Sequence, residues 1–350
     1  MENRVIKKKN NLPVLLLGVM VIMTIIGIIA FKIAFSINQK SDGINENREY
    51  DKYYVLISTD PNANLWKNIH EGAASCGEKT DAFVEQFGVF VGSEYTALEK
   101  LDIAISAKVD GIIIEGQDND LIEEGINKAT EKGIPVVTIS QDKAESMRVS
   151  FVGVNNYELG KKYGLEIEEL ANKLCAEENK PSVNVLVLVG ESTGKSVQNI
   201  LLSGIREELS NKNILNDKVF LDVSALKDTN SFDAEEEIRD IFVGENEVPD
   251  IIVCLNELHT NCVAQAVVDY NRVGKTNIIG SFASEAIINN IDKEIIYSTL
   301  AIDDKQMGEY CVTALNEYKE LGYANEYYVV DTYRINKENV SSYMGGADDE

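Results

Sequence analysis

The chain from residue 53 onward alternates short apolar runs with segments of helical periodicity. Several runs are continuous and β-branched, such as GIIIE at 111–115, which is typical of parallel strands covered on both faces. The runs predict strands at 53–59, 83–90, 111–115, 134–140, 149–154, 183–189, 218–224, 250–255, 277–281 and 295–301. The segments between them predict helices at 64–78, 96–108, 121–132, 157–174, 196–209, 234–243 and 259–273.

This order of elements predicts an α/β fold of doubly wound layers. About ten strands exceed the usual size of one open sheet, so we expect two doubly wound, Rossmann-like lobes. The changeover falls near Asn155, just before the long helical segment that starts at Tyr157. Ligands of such sheets bind beyond the carboxyl ends of the strands. The cleft between the two lobes is therefore the expected binding site.

A separate apolar segment lies near the N-terminus. No charged residue occurs from Leu12 to Phe31, and about 20 helical residues cross a hydrocarbon core of about 30 Å. The lysines at 7–9 favour a cytoplasmic N-terminus. We expect a basic cytoplasmic segment at 1–11, a transmembrane signal-anchor at 12–36, a polar linker at 37–51, and an ectodomain outside the cytoplasm. Two alternatives stay open, a signal peptide cleaved near 34–36 and a buried helix of a soluble domain.

The composition excludes several classes of function. With 33 basic and 58 acidic residues the formal net charge is −25, which argues against nucleic acid or anionic lipid as the main partner. Two histidines and five cysteines without CxxC or HxxxH spacing provide little for a metal site. No Ser/His/Asp arrangement suggests nucleophilic catalysis. We therefore expect a protein that is not an enzyme and needs no metal or cofactor.

One motif has some features of a nucleotide site. Residues 190–196, GESTGKS, follow a predicted strand and open a predicted helix, as a phosphate-binding P-loop does. Only three residues separate its glycines, whereas the P-loop has four, so it does not wrap a β-phosphate in the same way. We interpret this segment as a loop that faces the ligand cleft.

Seven motifs, in order and at consistent spacing, connect the sequence to a known family. It resembles the type I periplasmic binding proteins of the ribose/galactose group, the solute receptors of sugar ABC transporters, over roughly residues 52–345. The motifs are VDGIIIEGQDNDLIEEGINKATEKGIPVVTIS at 109–140, FVGVNNYELGKKYG at 151–164, VLVLVGESTGKSVQNILLSGIREEL at 185–209, PDIIVCLNE at 249–257, IIGSF at 278–282, STLAIDDKQMG at 298–308 and YRINKENV at 333–340.

The resemblance implies a hinge at which the chain crosses between the lobes three times. The crossings are expected near Asn155, near Ile302–Asp303 and near Asp331–Thr332. Lobe one then comprises residues 52–154 plus 303–331. Lobe two comprises 155–302 plus 332–345.

The resemblance also implies a set of ligand-binding residues. They are Asn62, Asn64, Trp66, Ser140, Gln141, Asn155, Asn199, Asn256, Phe282 and Ile302. The ring of Trp66, the only tryptophan, either stacks on the ligand or anchors the core. His259, three residues after Asn256, is a further candidate for the cleft.

Several of these positions depart from the family pattern. Ser140 stands where the family has an acidic residue, Asn199 replaces its arginine, Ala283 its aspartate and Ile302 its glutamine. The remaining amides pair with hydroxyls and carbonyls and carry no charge. We therefore expect a neutral polyhydroxylated ligand, bound more weakly than is usual for the family.

Two functional hypotheses follow. The first is a membrane-anchored solute-binding protein that binds a sugar or a similar neutral solute between its lobes and delivers it to an ABC permease. The alternative is a sensory co-receptor whose ligand-driven closure signals to a histidine kinase. The sequence leaves the ligand's identity and the choice between these partners open.

Overall fold

Two six-stranded sheets form the framework of the part of the chain that the structure describes. The structure, a computed structural model, describes residues 49–344 except 59, 90–94, 118, 178, 192–193, 228–229 and 245–246. The strands are β1 (Lys52–Ile57), β2 (Ala82–Phe87), β3 (Gly111–Glu115), β4 (Val136–Ile139), β5 (Ser150–Gly153), β6 (Val183–Gly190), β7 (Val219–Leu226), β8 (Ile251–Cys254), β9 (Asn277–Ser281), β10 (Ser298–Ile302), β11 (Tyr327–Val329) and β12 (Thr332–Asn336).

Helices cover both faces of the sheets. They are α1 (Asn64–Lys79), α2 (Ala97–Ala107), α3 (Asp120–Glu131), α4 (Asn156–Glu177), α5 (Lys195–Asn211), α6 (Ser231–Val243), α7 (Glu257–Asp269), α8 (Glu285–Asp292) and α9 (Asp304–Leu321), and a 3₁₀ helix spans Val340–Tyr343. Four hydrophobic clusters fill the spaces between helices and sheets. Burial on both faces explains why strands such as β3 are continuously apolar.

The strand orders confirm the predicted α/β class with two sheets of mostly parallel strands. The first sheet has the order β11-β5-β4-β3-β1-β2, and the second has β12-β10-β9-β8-β6-β7. All neighbours are parallel except β10 and β12, which pair antiparallel. Each predicted strand overlaps an observed one. The sequence pattern missed β11 and β12, and it also missed α8 and α9.

The chain passes between the two sheets at three places. The first lies between β5 and α4, since α4 packs with β6 and α5 in one hydrophobic cluster. The second is Asp303, between β10 and α9, and the third is the two residues between β11 and β12. Helix α9 belongs to the first sheet because its buried residues Met307 and Val312 share a cluster with Tyr54 and Leu56 of β1.

Glycines allow the closest helix contacts. A Cβ added at Gly72 of α1 would lie 2.0 Å from the carbonyl oxygen of Lys305, and one at Gly308 of α9 would lie 1.9 Å from that of Ile69. Helices α4 and α5 meet in the same way, through Gly160 and Gly204. In each pair the two backbones approach too closely for a larger residue.

The predicted segments 1–11 and 12–36 and nearly all of the linker at 37–51 lie outside the described residues. Among the helices that the structure does describe, none has both the length and the apolar character needed to span a bilayer. The anchor therefore stays a prediction.

Candidate functional site

A cavity of about 230 Å³ lies where the ends of several strands and the beginnings of several helices meet. Strands β1, β8, β9 and β10 lead into α1, α7, α8 and α9, and residues at or near the starts of these helices line its wall. Its lining residues are Asn64, Leu65, Asn68, Glu257, Phe282, Ala283, Ser284, Ile288, Ile302, Asp303, Asp304, Lys305, Tyr333 and Tyr343. This is the edge of the sheets at which α/β folds bind ligands.

The lining comes from both sheets and from a crossing between them. Asn64 and Asn68 belong to α1 of the first sheet, whereas Phe282 and Ser284 follow β9 of the second. Asp303 lies at the crossing itself. A molecule in the cavity would therefore contact groups that belong to both sheets.

Three of the ten predicted ligand residues line this cavity: Asn64, Phe282 and Ile302. Asn64 is the first residue of α1, and Ile302 is the last residue of β10. Phe282 follows β9 with φ of +70°, a left-handed conformation that is uncommon for an aromatic residue. Such a conformation, held by the surrounding structure, turns the chain at the cavity wall.

Trp66 belongs to the core, the second of the two alternatives left open by the sequence. Its side chain is 3% exposed and packs in the same cluster as Tyr54 and Ile69. The reason is the turn of the helix, since each residue advances by about 100° and Trp66 therefore points away from Asn64. Its ring is not among the groups that line the cavity.

The other predicted ligand residues are not among those that line the cavity. Asn155 and Asn256 cap α4 and α7: Asn155 Oδ1 accepts from Tyr157 N–H at 3.1 Å, and Asn256 Oδ1 accepts from His259 N–H at 2.7 Å. The remaining four, Asn62, Ser140, Gln141 and Asn199, are exposed and outside the cavity lining. His259 is fully buried and also lies outside the lining.

Carboxylates line the cavity, contrary to the expectation that only uncharged amides would do so. Glu257, Asp303 and Asp304 all reach the wall. Asp303 caps α9, because its Oδ1 accepts from Gln306 N–H at 2.9 Å. The residue pattern did not single out this group, because α9 was not among the predicted helices. The sequence DDKQ at 303–306 does contain an N-cap signal that could have located it.

The carboxyl group of Asp304 is largely buried and has a raised pKa. Its pKa is raised to about 7, chiefly by burial; the hydrogen bond from Asn68 lowers the pKa, and the charges of Asp303 and Glu257 act with burial to raise it. Asn68 Nδ2 donates to Asp304 Oδ2 at 3.5 Å. The other oxygen, Oδ1, is buried and accepts no hydrogen bond.

An aromatic wall completes the cavity. The rings of Tyr333 and Tyr343 stack with centroids 5.8 Å apart and planes at 7°. The strand register places Tyr333 at the cavity wall, because Tyr333 of β12 pairs with Ala301 of β10 in the antiparallel ladder. Burial raises the pKa of Tyr333 to about 12, and the charges of Asp303 and Asp304 act in the same direction. The Tyr333 hydroxyl therefore stays protonated near neutral pH.

Comparisons with known proteins identify related folds. The family model described as "Periplasmic binding protein domain" matches residues 53–322. No curated protein sequence matches the chain. Among solved structures, GanP, a glucose-galactose binding protein from Geobacillus stearothermophilus, is 24% identical with a TM-score of 0.67, over 84% of this chain and 99% of that one.

Two further solved structures bear on the fold. The sugar-binding protein of a sugar ABC transporter from Bacillus halodurans is 20% identical with a TM-score of 0.70, over 84% of this chain and 100% of that one. The structure titled "XylFII-LytSN complex" is 27% identical with a TM-score of 0.62, over 82% of this chain and 98% of that one. At these identities of about a quarter or less, the matches support the fold and leave the ligand to be argued from the cavity.

Proposed function

Because the chain belongs to the periplasmic binding protein domain family, we propose that it is a binding protein whose cavity takes up a sugar or a similar polyhydroxylated small molecule. The observation that carries this proposal is the lining by polar groups of both sheets at a crossing of the chain. The family and its structural neighbours are binding proteins, which agrees with the expectation that this protein is not an enzyme.

The chemistry of the wall suits a sugar. Carboxylate and amide oxygens of Asp304 and Asn68 accept hydrogen bonds from hydroxyl groups. The apolar faces of Phe282 and Ile302 and the rings of Tyr333 and Tyr343 cover the C–H faces of a pyranose. Two of the neighbours are described as a glucose-galactose binding protein and as a sugar-binding protein of an ABC transporter, which supports the same ligand class here.

Closure of the hinge would couple ligand binding to transport or to signalling. A ligand that contacts α1 on one side and the residues after β9 on the other favours the conformation in which both contacts form. It shifts the equilibrium only by its differential affinity for that conformation, and a tenfold preference is worth about 1.4 kcal/mol. Delivery to an ABC permease is the first output that we propose. Anchoring by residues 12–36 would keep the protein at the permease.

A sensory output is the second candidate. One neighbour was solved as a complex of XylFII with a second protein, LytSN, so this fold does assemble with protein partners. We propose, as the alternative to transport, that closure is transmitted to a histidine kinase in the same membrane. Neighbouring genes distinguish the two outputs: permease and ATPase genes support transport, and kinase and response-regulator genes support sensing.

Binding itself is tested with the full-length protein by calorimetric titration against a panel of pentoses, hexoses and polyols. We expect saturable binding of at least one sugar, and a loss of at least tenfold in affinity in Phe282→Ala. Phe232→Ala is the matched control, because Phe232 of α6 is 71% exposed and outside the cavity. Equal losses in both variants, or binding to amino acids alone, would reject the proposal.

A further inference from the structure

A buried carboxylate oxygen in the cavity has no partner within the protein. Oδ1 of Asp304 is buried without a hydrogen bond, while Oδ2 accepts only a long bond of 3.5 Å from Asn68. Ser284 Oγ, on the opposite side of the hinge, also lacks a partner. Buried polar groups in folded proteins are almost always paired. These two oxygen atoms therefore indicate positions at which polar groups of a ligand form hydrogen bonds.

The negative charge around Asp304 favours a positively charged ligand group over a neutral hydroxyl donor. Asp303, the preceding residue, and Glu257 at the start of α7 line the same cavity. Among the described lining residues only Lys305 is basic, and its Nζ binds Glu71 at 2.9 Å on the exposed side of α1. The three acids lie at the starts of α9 and α7, so the helix N-termini offset part of their negative charge. A neutral ligand would add no charge compensation to this part of the cavity.

The aromatic wall supports the same conclusion independently. Tyr333 and Tyr343 present stacked rings to the cavity that also contains the three acids. Aromatic faces attract ammonium groups, and this attraction strengthens when water is excluded. Acids and aromatic rings together form a typical environment for a cationic group.

We propose that the sugar bound in this cavity carries a protonated amino group, which forms an ion pair with Asp304 beside Glu257 and the Tyr333 ring. This inference rests on the proposed sugar-binding function and narrows it to amino sugars. It replaces the expectation of a neutral ligand, which assumed that amides alone supply the polar contacts. Asp304 would act as the residue that determines specificity.

Matched pairs of sugars test the proposal. The full-length protein is titrated calorimetrically at pH 7 with glucose, glucosamine and N-acetylglucosamine, and with the three corresponding galactose compounds. We expect one amino sugar to bind at least tenfold more tightly than both its hydroxyl and its N-acetyl counterparts. The N-acetyl compound retains the nitrogen without the charge, so it separates charge from shape.

Variants test whether Asp304 is responsible for the preference for amino sugars. Asp304→Asn should reduce the affinity for the amino sugar at least tenfold and leave that for the neutral sugar within about threefold. Glu257→Gln should give a smaller loss in the same direction, which keeps the test valid if the first variant folds poorly. Asp120→Asn is the matched control, because Asp120 is likewise the first residue of its helix, α3, and its side chain is 98% exposed.

The outcomes separate the two proposals. Equal affinity for amino and neutral sugars, or a preference that persists in Asp304→Asn, would overturn the amino-sugar inference and leave the proposed function standing. Binding of none of the six sugars and none of the wider sugar and polyol panel would overturn both. Preferential binding of an amino sugar that is lost in Asp304→Asn and kept in Asp120→Asn would support both.

Discussion

Gln306 and Asp331 form two hydrogen bonds that connect two of the places where the chain passes between the sheets. Gln306 Nε2 donates to Asp331 Oδ2 at 2.9 Å, and the backbone N–H of Asp331 donates to Gln306 Oε1 at 2.7 Å. Nearby, Asp303 N–H donates to the Asp331 carbonyl at 3.0 Å. These bonds join the start of α9, after the second crossing, to the third crossing.

Gln306→Ala should therefore destabilise the protein. The side chain makes two exposed hydrogen bonds, and each contributes on the order of 0.5 kcal/mol at such a position, so we expect a loss of roughly 1 kcal/mol. Urea unfolding measures it. Gln265→Ala is the control, since Gln265 bonds only within the exposed surface of α7, to Asp269 at 2.8 Å. A loss no larger than that of the control would show that the paired bonds contribute nothing measurable to stability.

The pH dependence of stability should change in Asp304→Asn. The pKa of Asp304 is about 7 in the folded protein against an ordinary value of 3.8. Between these values the folded state binds the proton more tightly than the unfolded state. The contribution of this group to stability is therefore full below pH 4, falls as pH rises to 7, and stays low above it.

The variant removes that dependence, so its stability relative to wild type should rise from pH 4 to 7 by roughly 2–4 kcal/mol. Urea unfolding of both proteins at pH 4.5, 6 and 8 measures the difference. Asp120→Asn should follow wild type at each pH. Parallel curves for wild type and Asp304→Asn would contradict the raised pKa.

Trp66 should report on the core of the first sheet. As the only tryptophan, and 3% exposed, it should show blue-shifted emission and weak quenching by acrylamide until the protein unfolds. Trp66→Ala should cost about 3–5 kcal/mol, because it leaves a large cavity, and Trp66→Phe should cost less. Native-state quenching as strong as that of the urea-unfolded chain would place the ring in solvent instead.

Gly308→Ala should disrupt the contact between α1 and α9. In an unconstrained helix the change to alanine would stabilise by about 1 kcal/mol. Here the new Cβ would lie 1.9 Å from the Ile69 carbonyl oxygen, so we expect a loss of about 3 kcal/mol or more, as for other overpacked sites.

Thermal and urea unfolding measure this loss. Gly194→Ala serves as the control because its φ is −54° and no atom lies within 4 Å of the added Cβ. A Gly308→Ala protein as stable as the Gly194→Ala protein would mean that the helices separate without cost.

The sequence alone determined the α/β class and the existence of two sheets. Strands such as β3 are covered on both faces, so their apolar runs are continuous and are visible without a structure. Asn64, Phe282 and Ile302 line the cavity, and each lies at or beyond the carboxyl end of a strand, where α/β folds bind ligands. These are local properties of the chain.

Only the tertiary structure decided which polar groups lie together in the cavity. Asp304 and Tyr333 are 29 positions apart, and they line one cavity because the chain leaves the second sheet after β10 and returns to it in β12. Asn155 and Asn256 also follow strands, but they cap helices and are not among the residues that line this cavity. The charge of the cavity depends on contacts between residues that are far apart in the sequence. The residue pattern predicts only which residues are neighbours along one helix or strand.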